Sequence, residues 1–241
     1  MKSITKKSEI ELTITRSREI YFKQGISRCV DQINQELLSC KIRFPLLEYS
    51  ADLIIEFIAE SEIVAFCQEI MLKHQIGGNV LIGRIMWLNL HDFIQPTMRK
   101  AGELIAQGRE WYVSDIIGER VFGNALLMNS DQAIDILMEL ANHPNSLVKR
   151  SIGAGVHLAL KRGLDEESAE KAFLILLKLS SSSDYQVKRG IGWAAKTTAR
   201  FYPNLIERHK NKILGPTTGR WFSSKVELGL ARNAYDQRKR G

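Results

Sequence analysis

Residues 111–118 read Trp-Tyr-Val-Ser-Asp-Ile-Ile-Gly, and the second part of this stretch returns twice further along the chain. Residues 113–118 (Val-Ser-Asp-Ile-Ile-Gly) align with residues 148–153 (Val-Lys-Arg-Ser-Ile-Gly) and with residues 187–192 (Val-Lys-Arg-Gly-Ile-Gly). The copies are offset by 35 and 39 residues. Two-helix solenoid repeats have periods of roughly 33 to 47 residues. The stretch therefore predicts a repeated unit of two helices.

The third position of this repeat changes charge from one copy to the next. It is Asp115 in the first copy, Arg150 in the second and Arg189 in the third. Trp111 precedes Asp115 by four residues, and Trp193 follows Arg189 by four. Each indole therefore shares a helical face with a charged repeat position. If the helices stack in parallel, one surface presents two indoles, one carboxylate and two guanidiniums.

The rest of the chain favours an all-α fold. We expect a right-handed solenoid of HEAT-like helical repeats that forms a single domain over residues 1–241. Residues 110–128 form the first clearly marked helix in chain order. Residues 8–15 instead alternate apolar and polar side chains and are rich in β-branched residues. That alternation predicts a short N-terminal strand or extended arm.

Positive charge is concentrated in the C-terminal part of the chain. The net charge is +7 for 241 residues. Residues 143–241 contain 19 Lys or Arg and 8 Asp or Glu, a net charge of +11, which leaves −4 for residues 1–142. This asymmetry indicates a polyanionic partner, with nucleic acid ahead of an acidic protein or a membrane surface. The alternative is that Lys/Arg-rich helices only keep the protein in solution.

Several other features bear on the location of the protein. No apolar run reaches the ~18 residues of a membrane helix, and the N-terminus lacks the apolar core of a secretory signal. Cys29, Cys40 and Cys67 are odd in number and have no CxxC spacing, which is typical of reduced thiols. The sequence therefore predicts a cytoplasmic protein without a membrane segment.

The familiar motifs of metal and acyl chemistry are missing from the sequence. The five histidines show no HExxH spacing and accompany no cysteine cluster, so we expect no metal site. No GxSxG elbow occurs. Gly118, Gly153 and Gly192 belong to no phosphate-binding loop pattern. Because they lie inside predicted helices, they indicate close approach between helices.

A carboxylate among aromatic and cationic groups suits a reaction that develops positive charge on an anionic substrate. Arginines can hold phosphates. Indole faces stabilise a cationic base or sugar by about 0.5 to 2 kcal/mol each. A fixed carboxylate can oppose an oxocarbenium-like centre and orient water toward it. These roles together describe cleavage of an N-glycosidic bond in DNA.

The pattern resembles the HEAT-like-repeat DNA alkylation repair glycosylases, the AlkD family. The family's Trp-x-x-x-Asp falls on Trp111 and Asp115, and its Arg about 35 residues later falls on Arg150. Its Ile-Gly-Trp falls on residues 191–193. The resemblance implies that Asp115 is the catalytic carboxylate, that Trp111 and Trp193 are aromatic walls, and that Arg150 contacts the DNA backbone.

The resemblance also implies the substrate and partner. Expected substrates are cationic N-alkylated purines such as 3-methyladenine and 7-methylguanine in duplex DNA, and no cofactor is implied. Separately from the resemblance, we expect the protein to be a monomer. The basic residues expected to contact DNA are Lys149, Arg150, Lys188, Arg189 and Lys196. Tyr112 and Lys196 depart from the family pattern, where Asp and Arg are usual. These departures leave the substrate preference and the reaction rate open.

Two other functions fit the same sequence. One is a non-catalytic member that binds branched or damaged DNA through the same basic surface, since a fold does not by itself imply an activity. The other is a protein-binding HEAT adaptor. An adaptor does not require an acid among aligned basic positions, and its binding should lack the steep salt dependence of phosphate contacts.

Overall fold

The computed structural model describes residues 2–238, and this part of the chain is almost entirely helical. The chain divides into two compact units, Met1–His91 and Asp92–Gly241. Within residues 2–238, the only β-type pairing is an isolated bridge between Ser3 and Lys41. The predicted all-α fold is therefore confirmed.

The N-terminal unit consists of two layers of helices. In chain order these are α1 (Lys7–Gln24), α2 (Ile26–Ile33), α3 (Phe44–Ile55), α4 (Ile63–Leu72) and α5 (Ile76–Leu88). Helices α1, α3 and α5 pack side by side, while α2 and α4 pack together. A π-helical segment continues α2, and 3₁₀ turns precede α4 and follow α5.

The C-terminal unit contains the repeat. Its helices are α6 (Ile94–Gln107), α7 (Trp111–Gly118), α8 (Asn124–Met128), α9 (Ser130–Leu140), α10 (Ser146–Lys161), α11 (Glu166–Lys178), α12 (Tyr185–Phe201), α13 (Pro203–Arg208), α14 (Lys210–Ile213) and α15 (Arg220–Arg238). A π-helical segment, Glu119–Gly123, joins α7 to α8 without a break. The prediction of helix over residues 110–128 is thus confirmed from residue 111 onward.

The three copies of the repeat lie on neighbouring helices of one layer. Helix α7 packs against α10, α10 against α12, and α12 against α15. Helices α6, α9 and α11 pack in sequence as a second layer. Apolar side chains of both layers are fully buried, Phe122 and Phe173 among the largest. Because burial of such a side chain contributes about 1.5 to 3 kcal/mol, this core fixes the spacing of the repeat helices.

Glycines set how closely the repeat helices approach. A Cβ at Gly118 would lie 2.7 Å from the Ser151 carbonyl oxygen. A Cβ at Gly153 would overlap the backbone of Gly190. At Gly192 the nearest atom is a side-chain carbon of Lys225, at 3.1 Å. The interpretation of these positions as points of close approach is confirmed, and the first two are contacts with backbone.

The predicted strand at residues 8–15 is wrong, because these residues lie in α1. Its buried positions are Ile10, Thr13, Ile14 and Ser17, which follow the spacing of a helix rather than of a strand. The side chain of Glu9 accepts hydrogen bonds from the backbone of Thr5 and Lys6 at the helix start. Burial of one helical stripe and this cap outweigh the β-branched composition.

Among residues 2–238, no helix is both long enough and apolar enough to cross a membrane.

Candidate functional site

The Asp115 carboxylate and the Arg150 guanidinium form a bidentate ion pair. Arg150 donates from Nε to Asp115 Oδ1 and from Nη2 to Asp115 Oδ2, each at 2.7 Å. Its Nη1 donates to Gln186 Oε1, also at 2.7 Å. The side chains of Arg150 and Asp115 are only 9% and 15% exposed. Parallel N–H···O bonds of this kind are strong and fix orientation, so Asp115 is held rigidly.

Helix caps place Arg150 and Gln186 near the starts of two neighbouring repeat helices. The side chain of Asn145 accepts from the Leu147 backbone at the start of α10, one turn before Arg150. The side chain of Asp184 accepts from the Val187 backbone and starts α12 beside Gln186. Caps of this type contribute about 1 kcal/mol each. They determine where Arg150 and Gln186 project from their helices.

Two indoles flank the ion pair. The Arg150 guanidinium carbon lies 5.1 Å from the centroid of the Trp111 ring, within cation–π range. Trp111 is nevertheless 51% exposed, and Trp193 is 37% exposed. Large aromatic side chains normally bury more of their surface than this. Both indoles therefore keep apolar area available for another molecule.

A buried histidine supports Trp193 from behind. The His157 ring stacks on the Trp193 indole with centroids 3.8 Å apart and an interplanar angle of 27°. The Thr197 hydroxyl donates to the Trp193 carbonyl oxygen at 3.0 Å, so it accepts from His157 Nδ1 at 2.7 Å. Burial, with help from nearby Lys161, lowers the pKa of His157 to about 4. The ring is therefore neutral at physiological pH and holds the indole by packing and one hydrogen bond.

A cavity of about 350 Å³ opens between these groups. It is lined by Trp111, Asp115, Arg150, Arg189, Gly192, Trp193, Lys196 and Lys225. We call this the indole cavity. Helices α7, α10, α12 and α15 each contribute to its wall, so it exists only because the repeats stack. Its volume falls within the range of small-molecule sites, roughly 300 to 1,000 Å³.

The indole cavity is electropositive. Asp115 and Arg150 neutralise each other, whereas Arg189, Lys196 and Lys225 form no ion pair within residues 2–238. Glu119 lies one helical turn after Asp115 but does not line the cavity, and burial raises its pKa. The cavity thus combines a neutral pair, three cations and two indoles, a combination suited to an anionic molecule that carries a flat ring.

Most of the predicted site residues meet at this cavity, but their surroundings differ from expectation. Trp111, Asp115, Trp193, Arg189 and Lys196 line it, as does Arg150. Arg150 is buried and engaged by Asp115 and Gln186, a geometry that fits a group positioning the carboxylate. Its predicted contact with the DNA backbone remains a prediction.

Two of the predicted DNA contacts lie away from the cavity wall. Lys149 and Lys188 precede Arg150 and Arg189 in the Val-Lys-Arg segments, but neither lines the indole cavity. Their predicted role on DNA is untested by this geometry. Among residues 2–238, no group of three His, Cys, Asp or Glu side chains is arranged to hold a metal ion.

Sequence reasoning missed Gln186, Lys225 and the support from His157. Gln186 lies 36 residues after Arg150, about one repeat length. Side chains on a helix point toward its N-terminus. The Arg150 side chain can therefore reach a residue on α12 that lies one turn before Arg189, its aligned partner. This spacing is the sequence signal that could have identified Gln186. Lys225 lies 33 residues after Gly192, but α15 carries no copy of the repeat sequence.

The fold and the site define a helical-repeat protein with a basic cavity built around a carboxylate and two indoles. A family model described as "DNA alkylation repair enzyme" matches residues 58–218, which is 161 of the 241 residues. The chain belongs to this family, and the resemblance inferred from the repeat is confirmed. Membership makes DNA the expected partner.

Two solved structures are similar to this chain in fold. The crystal structure of AlkD2 from Streptococcus mutans matches with a TM-score of 0.68 and 12% identity, covering 85% of this chain and 97% of that one. An engineered protein matches with a TM-score of 0.51 and 10% identity, covering 92% and 96%. No curated protein matches the sequence. The likeness to AlkD2 confirms the predicted HEAT-like helical solenoid class.

Proposed function

We propose that the protein is a DNA N-glycosylase that releases cationic N-alkylated purines, such as 3-methyladenine and 7-methylguanine, from duplex DNA. The observation that carries the proposal is the placement of Asp115. Its carboxylate is fixed by Arg150 and borders a cavity of about 350 Å³ that is flanked by two partly exposed indoles. Family membership gives the general reaction context of alkylation repair.

The proposed step breaks the bond between the sugar C1′ and the purine nitrogen. The electron pair of this bond leaves with the base, which departs neutral because alkylation had already made it cationic. The sugar becomes an oxocarbenium-like cation, and water adds to C1′ while losing a proton to the carboxylate or to solvent. No cofactor is needed in this scheme, because the leaving group is already activated.

Asp115 retains capacity for this role although it is paired. A carboxylate offers about four lone-pair sites, and Arg150 occupies one on each oxygen. The remaining sites can orient water and oppose positive charge at the sugar. Arg150 acts in this proposal as a positioning residue, since it holds the carboxylate and stacks near Trp111.

The two indoles supply the affinity for a cationic base or sugar. Cation–π contact contributes about 0.5 to 2 kcal/mol per ring, with the larger value for a desolvated site. Arg189, Lys196 and Lys225 would hold neighbouring phosphates. In this proposal the aromatic faces contact the damaged nucleoside, and the cations bind phosphates of the strand.

The test is a base-release assay on methylated duplex DNA. Wild-type protein is expected to liberate 3-methyladenine or 7-methylguanine, measured as free base by chromatography. Asp115→Asn keeps the size of the side chain but removes its charge, so release should fall by about 10² to 10³, the usual loss for one electrostatic catalytic group. Equal release by the two proteins, or none by wild type, rejects the proposal.

A second candidate is a non-catalytic protein that binds branched or damaged DNA. The observation in its favour is that both oxygens of Asp115 are engaged by Arg150, which is how a purely structural ion pair looks. This candidate predicts no base release, with tight, salt-dependent binding to a branched duplex. The Asp115→Asn variant would then lose folding stability but keep whatever DNA selectivity the wild type has.

A further inference from the structure

A second cavity lies next to the indole cavity in the C-terminal unit. It has a volume of about 320 Å³ and is lined by His157, Lys161, Trp193, Lys196, Thr197, Arg200, Phe201 and Arg232. We call it the basic pocket. Trp193 and Lys196 line both cavities. The two spaces therefore share a wall, and the shared wall is one face of α12.

The basic pocket carries a strong excess of positive charge. Four cations line it, and within residues 2–238 the only acid that forms an ion pair with them is Asp236, with Arg200 at 2.8 Å and Arg232 at 3.4 Å. Lys161 and Lys196 form no ion pair within residues 2–238. His157 adds no charge at neutral pH, because burial lowers its pKa to about 4. Cations gathered on a concave surface with one acid between them are costly unless an anion occupies the space.

A row of cationic side chains that includes one indole runs along α12 from the indole cavity to the basic pocket, and we call this row the stripe. Arg189, Trp193, Lys196 and Arg200 recur along α12 at helical spacing. At 1.5 Å of rise per residue, the stripe extends about 16 Å along the helix axis. Phosphates on one strand of B-DNA rise 3.4 Å per step. The stripe is thus long enough to contact more than one phosphate of a strand, with Trp193 between Arg189 and Lys196.

We propose that the basic pocket binds a single phosphate group of the strand whose damaged nucleoside occupies the indole cavity. Lys161 from α10 and Arg232 from α15 face this phosphate together with Lys196, so three helices hold it. The proposal rests on the proposed function and deepens it, since it assigns a backbone position to residues outside the repeat motif. The phosphate anchors the strand on the side of Trp193 opposite to Asp115.

The ligand is a phosphate rather than a second base. Lys161, Lys196 and Arg232 are exposed side chains with N–H donors and no acceptors, whereas a base edge presents donors as well as acceptors. One face of Trp193 is already occupied by His157. A carboxylate ligand lacks the spread of oxygens that donors from three helices can reach.

The experiment scans a duplex that contains one tetrahydrofuran abasic analogue, which fixes the register of the protein on DNA. Single methylphosphonate linkages replace the charged phosphates around it, one per duplex, and dissociation constants are measured for each. For wild type, several linkages should be sensitive, and the one held in the basic pocket should weaken binding roughly tenfold, the loss expected for a hydrogen bond to a charged group. In Lys161→Ala and Arg232→Ala the same linkage should change binding less than twofold.

Lys178→Ala is the matched control, because Lys178 is exposed on α11 and lines neither cavity. It removes the same charge but should retain the tenfold effect. If sensitive linkages exist but none loses its effect in Lys161→Ala or Arg232→Ala, the pocket assignment is overturned while base release through Asp115 stands. If wild type shows no sensitive linkage at all, both the assignment and the fixed register of the proposed function are contradicted.

A nick at the sensitive position distinguishes two sources of the phosphate. A 5′-phosphorylated nick that binds more tightly than the continuous strand indicates a terminal dianion. A continuous strand that binds at least as well indicates an internal phosphodiester. Either result supports a phosphate in the basic pocket, provided that Lys161→Ala removes the difference between phosphorylated and unphosphorylated nicks; persistence of that difference in the variant counts against it.

Discussion

Within residues 2–238, an aspartate, an arginine and a tryptophan meet twice, once in each unit. The N-terminal triple is Asp52, Arg84 and Trp87, in which Arg84 Nε donates to Asp52 at 2.5 Å and the guanidinium lies 3.8 Å from the indole centroid. The C-terminal triple is Asp115, Arg150 and Trp111, with an Arg150 to indole distance of 5.1 Å. Both triples join an acid on one helix to an arginine on the next helix of its layer.

The two triples differ in burial and in what surrounds them. Arg84 and Asp52 are 23% and 38% exposed, against 9% and 15% for Arg150 and Asp115. In the N-terminal triple the tryptophan follows the arginine on its own helix, whereas Trp111 lies on the helix of the acid. Only the C-terminal triple faces a second indole across a described cavity. An acid–arginine ion pair next to a tryptophan thus occurs in both units. Its burial and the adjoining cavity mark the C-terminal triple as the candidate site.

Other ion pairs between successive repeats support this view. Arg200 pairs with Asp236, Arg99 with Glu139, and Lys171 with Asp131, each over 36 to 40 residues of sequence. Most of these side chains are substantially exposed. Exposed pairs contribute little, typically below about 1 kcal/mol. These exposed pairs mainly connect neighbouring repeats. The buried Arg150–Asp115 pair is therefore the one that marks the candidate site.

The largest expected difference between the triples is in stability after removal of the arginine. Arg150→Ala leaves the Asp115 carboxylate largely buried without its partner, which should cost about 3 to 5 kcal/mol. Arg84→Ala exposes a carboxylate that water already reaches, so we expect about 1 kcal/mol or less. Urea unfolding followed by circular dichroism gives both values. Equal losses would remove the distinction between the two triples.

The second comparison concerns glycine contacts in the two units. In Gly153→Ala the new Cβ meets the backbone of Gly190, which cannot move aside, so α10 and α12 must separate at a cost of about 3 kcal/mol. In Gly78→Ala the Cβ lies 3.0 Å from a side-chain methyl of Ile70, which can adjust, and alanine also favours the helix by about 1 kcal/mol. Thermal unfolding should show a large loss for the first variant only.

The third prediction concerns His157, which stacks on Trp193. The N-terminal triple has no counterpart of Trp193. The folded pKa of His157, about 4, lies below the unfolded value of 6.5. Between these values the unfolded chain binds more protons, so stability should fall by about 3 kcal/mol as pH drops from 6.5 to 4 and should be fully present well above 6.5. His157→Gln keeps a hydrogen-bond donor but does not titrate. Unfolding measured across this pH range should show a shallower slope for the variant.

The smallest expected effects separate cations on the cavity wall from those beside it. Arg189→Ala should weaken binding to duplex DNA several-fold and reduce the slope of log affinity against log salt by about one. Lys149→Ala and Lys188→Ala change residues that do not line the cavity, so each should weaken binding less than Arg189→Ala does. Fluorescence anisotropy at several salt concentrations tests this order. A larger loss for Lys149→Ala would place the DNA on a different face.

Much of the C-terminal unit could be predicted from the sequence. Positions 115, 150 and 189 recur at repeat spacing, and stacked helices bring equivalent positions together, so these three cavity residues followed from register, whereas Lys225 did not. Gly118 and Gly153 followed from their helical position. The partner Gln186 did not, because which turn of the next helix an arginine reaches depends on the helix crossing.

The N-terminal unit was harder to predict. Residues 8–15 carry the alternation of a strand, but burial of Ile10, Ile14 and Ser17 on one face forms a helix. The triple of Asp52, Arg84 and Trp87 escaped detection because its spacing of 32 residues between acid and arginine has no accompanying repeat of sequence. Both the helix at residues 8–15 and the Asp52–Arg84 pair depend on tertiary packing, which the local sequence pattern does not reveal.

The most direct measurement is single-turnover release of 3-methyladenine, with protein in excess over methylated DNA, for Asp115→Asn and Asp52→Asn side by side. Both changes remove one carboxylate charge from an arginine pair next to a tryptophan, and the folded fraction of each variant is measured in the same buffer. We expect the rate constant to fall by about 10² or more for Asp115→Asn and to stay within twofold of wild type for Asp52→Asn. Similar rate constants for the two variants would contradict the assignment of the carboxylate at position 115 to the chemical step.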